Sequence, residues 1–296
     1  MRVLIAGSSG FLGKHLTVRL RGEGHDVRRL VRGKSAAVDA SMWDPYAGQL
    51  DEAQVEAADV VINLAGSPTA GNPHSRRWAR ELRTSRVETT RVLAEAIARS
   101  ERKPDFLAGN GISYYGDSGA DVLTEESPSR GDALLTDVTR EWQSAADPAV
   151  ASGARVCILR TAPVMDHRGS PFKPLAALCR LGLGARLGSG RQHMAMISLR
   201  DWLGAVSFLC STPAVSGPVN LSCVRTPTNA EFTDALAAAL HRPSLLVAPS
   251  AVLKVAAGAL GPELLGSINA CPKVLLDAGF EFQDSGVSEV IAAALG

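Results

Sequence analysis

Apolar residues fall in two rhythms along the first two thirds of this chain. Short compact runs appear at Val3-Leu4-Ile5-Ala6, Val27 to Val31, Ala40 to Trp43, Asp59-Val60-Val61-Ile62-Asn63-Leu64-Ala65-Gly66 and Phe106 to Gly109. Arg155-Val156-Cys157-Ile158-Leu159-Arg160 and Pro218-Val219-Asn220-Leu221-Ser222 complete the set. Each has the length and composition of a strand. Between them the period lengthens. Leu12, Leu16 and Leu20 follow the first run at helical spacing, and Trp78, Leu82, Ser85, Thr89, Val92 and Ala96 mark one face of a helix of about five turns. Strand and helix in alternation predict an α/β fold, a Rossmann-type doubly wound parallel sheet with helices on both faces.

The remaining segments have a different texture. Residues 162–200 are rich in Gly and Pro, including Leu181-Gly182-Leu183-Gly184 and Leu187-Gly188-Ser189-Gly190. From Thr226 onward, Ala-rich helical stretches are broken by Pro243, Pro249, Pro262 and Pro272. The expected organisation is a dinucleotide-binding domain from 1–161 plus about 200–224, and a smaller, partly discontinuous substrate lobe from 162–199 plus 225–296. Ligands of such folds bind in the crevice at the carboxyl ends of the strands.

The turn after the first strand carries the clearest chemistry. Gly7-Ser8-Ser9-Gly10-Phe11-Leu12-Gly13 joins a strand to a helix, which sets backbone N–H groups at the positive end of that helix against a diphosphate. Gly7 allows the tight turn, Gly10 removes a Cβ that would block the phosphates, and Gly13 lets the helix pack closely. A lone glycine triad also marks ordinary surface turns, but here the strand, helix and second strand around it meet the test of context. Leu64, Ala65 and Gly66 end another strand in small residues, as expected where backbone approaches a ligand. At the end of the second strand, where an NAD site places a carboxylate, the chain reads Leu30-Val31-Arg32-Gly33-Lys34. Arg32 suits a 2′-phosphate, with Lys34 adding a point charge, so NADP(H) is the expected cofactor.

Bulk properties narrow the class further. Hydrophobic residues make up 46% of the 296 and charged residues 21%, ordinary for a globular protein. A formal net charge of +1 argues against nucleic acid or an anionic membrane as partner. Arg28, Arg29, Arg32 and Lys34 cluster locally, as do Arg76, Arg77, Arg80 and Arg83, the second group reading as a solvated helix face. The five cysteines include no C-x-x-C pair, and no metal-ligand spacing is readable. The chain opens on its first strand, and no apolar run approaches the ~20 residues that span a bilayer, so no signal peptide, no membrane and a cytoplasmic setting are expected.

The glycine turn, Asp59 to Gly66, Gly111 to Gly116 and the Arg160-Thr161 strand end together resemble the extended short-chain dehydrogenase/reductases, and a closer likeness is carried by Trp43-Asp44-Pro45, Ser85-Arg86, Ile112-Ser113-Tyr114-Tyr115-Gly116-Asp117, Leu187-Gly188-Ser189-Gly190-Arg191-Gln192, Thr228-Asn229-Ala230-Glu231-Phe232 and Ala278-Gly279-Phe280. The resemblance is closest to an atypical branch, the epimerase-family proteins with a C-terminal domain of uncharacterised role. It implies the fold, the NADP(H) preference and two lobes. The Trp78-to-Ile97 helix is similar to one that pairs subunits in related proteins, which implies a homodimer. Ordinary members use Tyr-x-x-x-Lys, in which the Lys lowers the Tyr pKa. None of the three tyrosines, Tyr46, Tyr114 and Tyr115, has a Lys four residues on, and the pair's positions fall at Leu134 and Val138. The chain also departs from its own branch, with Asn110 in place of a serine and Ser198 in place of a histidine.

The candidates for the missing chemistry are Ser113, Tyr115 and Asn110. Tyr115 would donate a proton with Asp117 as relay, or pack between the lobes; Asn110 would hydrogen-bond substrate or the nicotinamide ribose. Tyr114 and Arg191 are expected at the substrate, the arginine binding a carboxylate or phosphate. Three readings of function stay open: an oxidoreductase or epimerase acting on a small carbonyl or hydroxyl compound, the same fold repurposed for non-redox chemistry (cyclase, isomerase or dehydratase), and a non-catalytic NADP(H) sensor or scaffold.

Overall fold

The computed structural model describes residues 1–33 and 37–296. Seven strands form one sheet: β1 (Arg2–Ala6), β2 (Asp26–Val31), β3 (Ala40–Met42), β4 (Val60–Asn63), β5 (Asp105–Gly111), β6 (Val156–Thr161) and β7 (Gly217–Leu221). Every pairing in it is parallel, and the order is β7-β6-β5-β4-β1-β2-β3. The chain runs outward from β1 to β3 and then crosses back to β4. The reversal between β1 and β4 opens a crevice at their carboxyl ends.

Alternation within each strand feeds two cores. Val3 and Ile5 of β1 face one side with Val60, Ile62, Leu107, Cys157 and Leu159, while Leu4 and Ala6 face the other with Val61, Phe106, Ala108, Val156 and Ile158. Helix α1 (Phe11–Gly22) buries Leu16 and Leu20 on the first side. Helix α2 (Arg76–Arg99) buries Leu93, Ala94 and Ile97 on the second. Each fully buried leucine contributes about 1.5–3 kcal/mol. Helix α3 (Leu134–Ser144) follows β5, and α4 (Phe172–Arg180) follows β6. Helix α5 (Leu199–Ser211) returns to the first side with Trp202, Val206 and Leu209, and helices α6 (Asn229–Ala239) and α7 (Val287–Leu295) complete the long helical segments after β7.

Several elements differ from their expected bounds by a residue or more, and two of the differences have a visible cause. Helix α2 starts earlier, at Arg76, because the Ser75 hydroxyl accepts from the Trp78 amide at 3.2 Å and caps it. Strand β4 stops at Asn63 instead of reaching Gly66. The buried Asn63 side chain accepts from the Ala65 amide at 3.0 Å and donates to Thr90 at 2.8 Å, which turns the backbone out of the ladder.

A third core lies away from the sheet, built from Met165, Phe172, Met196, Phe232, Leu236 and Ile291 among others. A smaller cluster of Ile112, Tyr115, Leu123, Ala162, Ala195 and Ala270 joins these segments to the carboxyl end of β5. The outer face of α2 exposes Arg76, Arg77, Arg80, Glu81, Thr84 and Arg91, a polar surface and not an apolar seam. Among the described residues, no helix is long and apolar enough to cross a membrane, and no cluster of His, Cys, Asp or Glu is arranged to hold a metal.

Candidate active site

The three glycines of the first turn meet different demands. Gly7 has φ +83°, and a Cβ there would lie 2.5 Å from the Leu64 carbonyl. A Cβ on Gly13 would lie 2.2 Å from the Gly7 oxygen, so α1 packs directly on the turn. Gly10 is unlike both: its Cβ would meet only the Gly7 oxygen, at 3.3 Å, and otherwise point into open space. Gly10 is also the N-cap of α1, with no side-chain cap and no acidic residue in the first turn. The amides of Phe11, Leu12 and Gly13 therefore have no intrahelical acceptor. Ser9 is exposed beside them, Leu12 packs on the core, and the Phe11 ring lies edge-on to His15 at 4.7 Å.

Arg32 lies one residue beyond β2, exposed and with no partner among the described residues. Its neighbour Arg29 is instead committed to Asp39 through two bonds of 2.7 Å, which hold that carboxyl well below its usual range. Lys34 lies outside the described residues.

Opposite the glycine turn, the 64–69 segment is tied onto α2. Ser85 accepts from the Ser67 amide at 2.9 Å, and Thr89 donates to the Ala65 carbonyl at 3.3 Å. Arg86 packs against Gly66, donates to Thr69 and to the Leu82 carbonyl at 3.0 Å each, and stacks over Trp142 at 5.2 Å. It makes no ion pair among the described residues, and burial pushes its pKa down to about 10. Sequence reasoning assigned no role to Asn63 or Arg86. The Ser85-Arg86 pair carried a signal only as part of the family resemblance.

At the carboxyl end of β5 the expected catalytic residues separate. Asn110 is 4% exposed; its amide donates to the Thr139 carbonyl at 3.1 Å and its carbonyl accepts from the Gly111 amide at 2.7 Å. Its carbonyl and one amide hydrogen are thus committed to backbone, which leaves a single donor on a nearly buried side chain for the hydrogen bond expected toward a substrate or ribose. Tyr115 is fully buried, donating to Asn220 at 2.7 Å and accepting from Arg160 at 2.9 Å. Burial pushes its pKa up, although the Arg160 guanidinium opposes this, and a useful tyrosine acid needs the reverse. The expectation of Tyr115 as proton donor therefore gives way to packing between β5, β6 and β7.

Asn110, Arg160 and Asn220 are cross-strand neighbours in register, so the row of strand ends is polar and closed. Arg160 is itself buried, bonded to Gln143 at 3.1 Å and lying 3.6 Å from the centre of the half-buried Tyr114 ring. Glu125 accepts from the Asn220 amide at 3.0 Å, and burial pushes its pKa up. Ser113 is left half-buried, its hydroxyl without a partner among the described residues. Asp117 is not placed as a relay, since it accepts from the Gly119 amide at 3.2 Å and the Ser267 amide at 3.1 Å. Arg191 is exposed, two residues before His193, whose amide donates to Ser267 at 2.9 Å. Leu134 and Val138 lie on α3, the latter buried, so the helix is present without its proton-transfer pair.

Comparison with known proteins supports this picture of a shared scaffold. The model of the NAD dependent epimerase/dehydratase family matches residues 3–135, and that of a domain of unknown function, DUF1731, matches residues 248–294. The chain is 38% identical over 293 residues to epimerase family protein MT2273 of Mycobacterium tuberculosis, covering 99% of this chain and 97% of the relative. It is 33% identical to epimerase family protein SDR39U1 of Mus musculus, covering 95% of each. Human SDR39U1, solved with NADPH, superposes with a TM-score of 0.86 at 28% identity, covering 99% of both chains. A UDP-N-acetylglucosamine 4-epimerase from Bacillus cereus shares the fold at 16% identity and a TM-score of 0.77, covering 100% of this chain and 98% of that one. With this identity along nearly its whole length, the chain belongs to the NAD dependent epimerase/dehydratase family, among the epimerase family proteins that include SDR39U1.

Proposed function

We propose that this protein binds NADP(H) and moves a hydride between it and a small carbonyl or hydroxyl compound, without a Tyr-x-x-x-Lys pair. The observation that carries the reading is the uncapped amide cluster at Gly10–Gly13, open at Gly10, with Arg32 exposed just beyond the neighbouring strand β2 and without a partner among the described residues. The NADPH bound by human SDR39U1 supports the same choice of cofactor. When bound, the nicotinamide supplies or accepts the hydride. The amides of Phe11, Leu12 and Gly13 hold the diphosphate, and Arg32 reads the 2′-phosphate.

Ser113 is the one expected catalytic side chain left free, and it hydrogen-bonds the reacting oxygen of the substrate. Tyr114, fixed under Arg160, forms an aromatic wall, and Arg191 meets an anionic group at the entrance. The proton comes from water. A positioned acid contributes ~10²–10⁴-fold, so turnover is slow and its pH profile lacks the step of a titrating tyrosine.

A second reading, NADP(H) binding without turnover, is favoured by the closure of both Asn110 and Tyr115 inside the protein. One experiment separates the two: NADPH oxidation against a panel of aldehydes and ketones, alongside direct measurement of NADPH affinity. Carbonyl-dependent oxidation that persists in Tyr115→Phe supports the reductase. Tight NADPH binding with no oxidation on any carbonyl compound supports the second reading. Loss of NADPH binding altogether overturns both.

A further inference from the structure

A cavity of about 180 Å³ lies where the segment after β5 and the start of α3 meet the short helix Gly261–Leu265. Ser113, Asp117, Arg130, Asp132, Thr136 and Glu263 supply its polar wall. Its size suits a fragment, since drug-sized ligands need ~300–1,000 Å³. None of these residues belongs to the glycine turn or to β2, so the inference goes beyond the cofactor reading and does not depend on it.

Two buried polar atoms here have no partner among the described residues. One is the hydroxyl of Thr136, a residue with no exposed surface. Thr139, one turn along the same helix, returns its hydroxyl to the Leu135 carbonyl at 2.8 Å. Thr136 has no such outlet, because its equivalent neighbour Asp132 precedes the helix. The other is Oε2 of Glu263, whose Oε1 accepts from the Leu135 amide at 2.6 Å and caps α3. Both residues line the cavity, and a buried hydroxyl and a buried carboxylate oxygen left unmet cost stability unless an occupant of the cavity meets them.

The charge of the wall selects the filler. Asp117, Asp132 and Glu263 are acidic, and the one cation among the described lining residues, Arg130, is held by Asp121 at 2.9 Å. An anion is thereby disfavoured. A metal ion is not called for either, because among the described residues no three His, Cys, Asp or Glu side chains converge as ligands. We propose that the cavity binds the ammonium group of a small amine, donating to Glu263 Oε2 and to the Thr136 hydroxyl. Burial pushes the Glu263 pKa up, as expected of a carboxylate lacking its counter-ion.

The test titrates the 296-residue chain, labelled at threonine methyls, with ethanolamine, ethylene glycol and acetate, and follows the Thr136 methyl by NMR. Ethanolamine should give a saturable shift at least about tenfold tighter than ethylene glycol, the neutral analogue, with no response to acetate. Glu263→Gln keeps the cap on Leu135 but should weaken ethanolamine about tenfold or more. Thr136→Val removes an unpartnered hydroxyl and should weaken ethanolamine about threefold, measured by calorimetry because the reporting methyl is lost in that variant. Equal shifts from ethanolamine and glycol, a saturable response to acetate, or ethanolamine binding indifferent to Glu263→Gln would each overturn the proposal in favour of a water-filled cleft.

Discussion

Gly10→Ala tests the cofactor turn most sharply, because the structure separates folding from binding at that residue. Gly10 sits at φ −71° and ψ 171°, a conformation alanine adopts freely, and the added methyl meets only the Gly7 oxygen at 3.3 Å. Loss of a good N-cap costs about 0.5–1 kcal/mol, while a less flexible unfolded chain returns about 0.4–1 kcal/mol. Net stability should stay within about 1 kcal/mol of the parent, a few degrees in Tm at most. Binding should behave otherwise. The methyl would otherwise enter open space at the N-terminus of α1, where the proposed diphosphate would lie. Displacing it from two charge-assisted bonds of about 1.5–3 kcal/mol each predicts a ~10²–10⁴-fold loss of NADPH affinity. Gly13→Ala is the control of opposite kind, since its Cβ would sit 2.2 Å from the Gly7 oxygen and the turn itself must move. That variant should lose stability first, by about 1–3 kcal/mol. The assay is a thermal melt of each variant with and without NADPH, plus a fluorescence titration. A Gly10→Ala protein that melts normally and still binds NADPH like the parent would refute the placement of the diphosphate on these amides.

Arg32→Ala should weaken NADPH about 5–30-fold while leaving NADH unchanged, a low-end value because the guanidinium is exposed and screened by salt; equal losses for both cofactors would show that Arg32 does not read the 2′-phosphate. Tyr115→Phe should lower stability by about 1–3 kcal/mol, since Arg160 and Asn220 each lose a buried partner, yet leave NADPH affinity and any pH–rate profile unmoved. A pH–rate step lost in that variant would restore Tyr115 as an acid. Asp39→Asn should cost about 1–2 kcal/mol at neutral pH through its bonds to Arg29. The folded-state pKa of Asp39 is depressed, so its stabilisation is present above the ordinary 3.8 and lost as pH falls below it. Melts of parent and variant should therefore converge in acid, and a gap that widens there would reverse the sign of the argument.

Features whose geometry is local were legible in the sequence, and features assembled across strands were not. The glycine turn spans seven residues, and each glycine's demand is met by atoms of the turn or of the strand end beside it. The strands were legible because both of their faces are covered, as Val3 and Ile5 against Leu4 and Ala6 illustrate. The end of β4 was not, because Leu64, Ala65 and Gly66 continue the apolar composition while the Asn63 side chain has already broken the ladder. Tyr115 failed for a longer-range version of the same reason. Its partners, Arg160 and Asn220, lie 45 and 105 residues away. A tyrosine after β5 states its residue type, and its pKa and access depend on whatever the next strands bring.

Those partners follow from topology once the sheet order is known. In the order β7-β6-β5, polar residues near the ends of the three strands fall on one row, Asn110 beside Arg160 beside Asn220. A guanidinium at the middle of such a row, flanked by two amides and covered by helices, must collect acceptors from the loops above it. Tyr115 supplies one and the Glu125 carbonyl another, at 3.1 Å. The tyrosine that would otherwise stand free to donate a proton is drawn into satisfying a buried arginine. Of Ser113, Tyr115 and Asn110, only Ser113 keeps its side chain without a partner among the described residues, and it lines the acidic cavity beside Glu263. If the proposed hydride transfer takes place here, Ser113→Ala should lower turnover more than Tyr115→Phe, and the reverse order would restore the tyrosine to the chemistry.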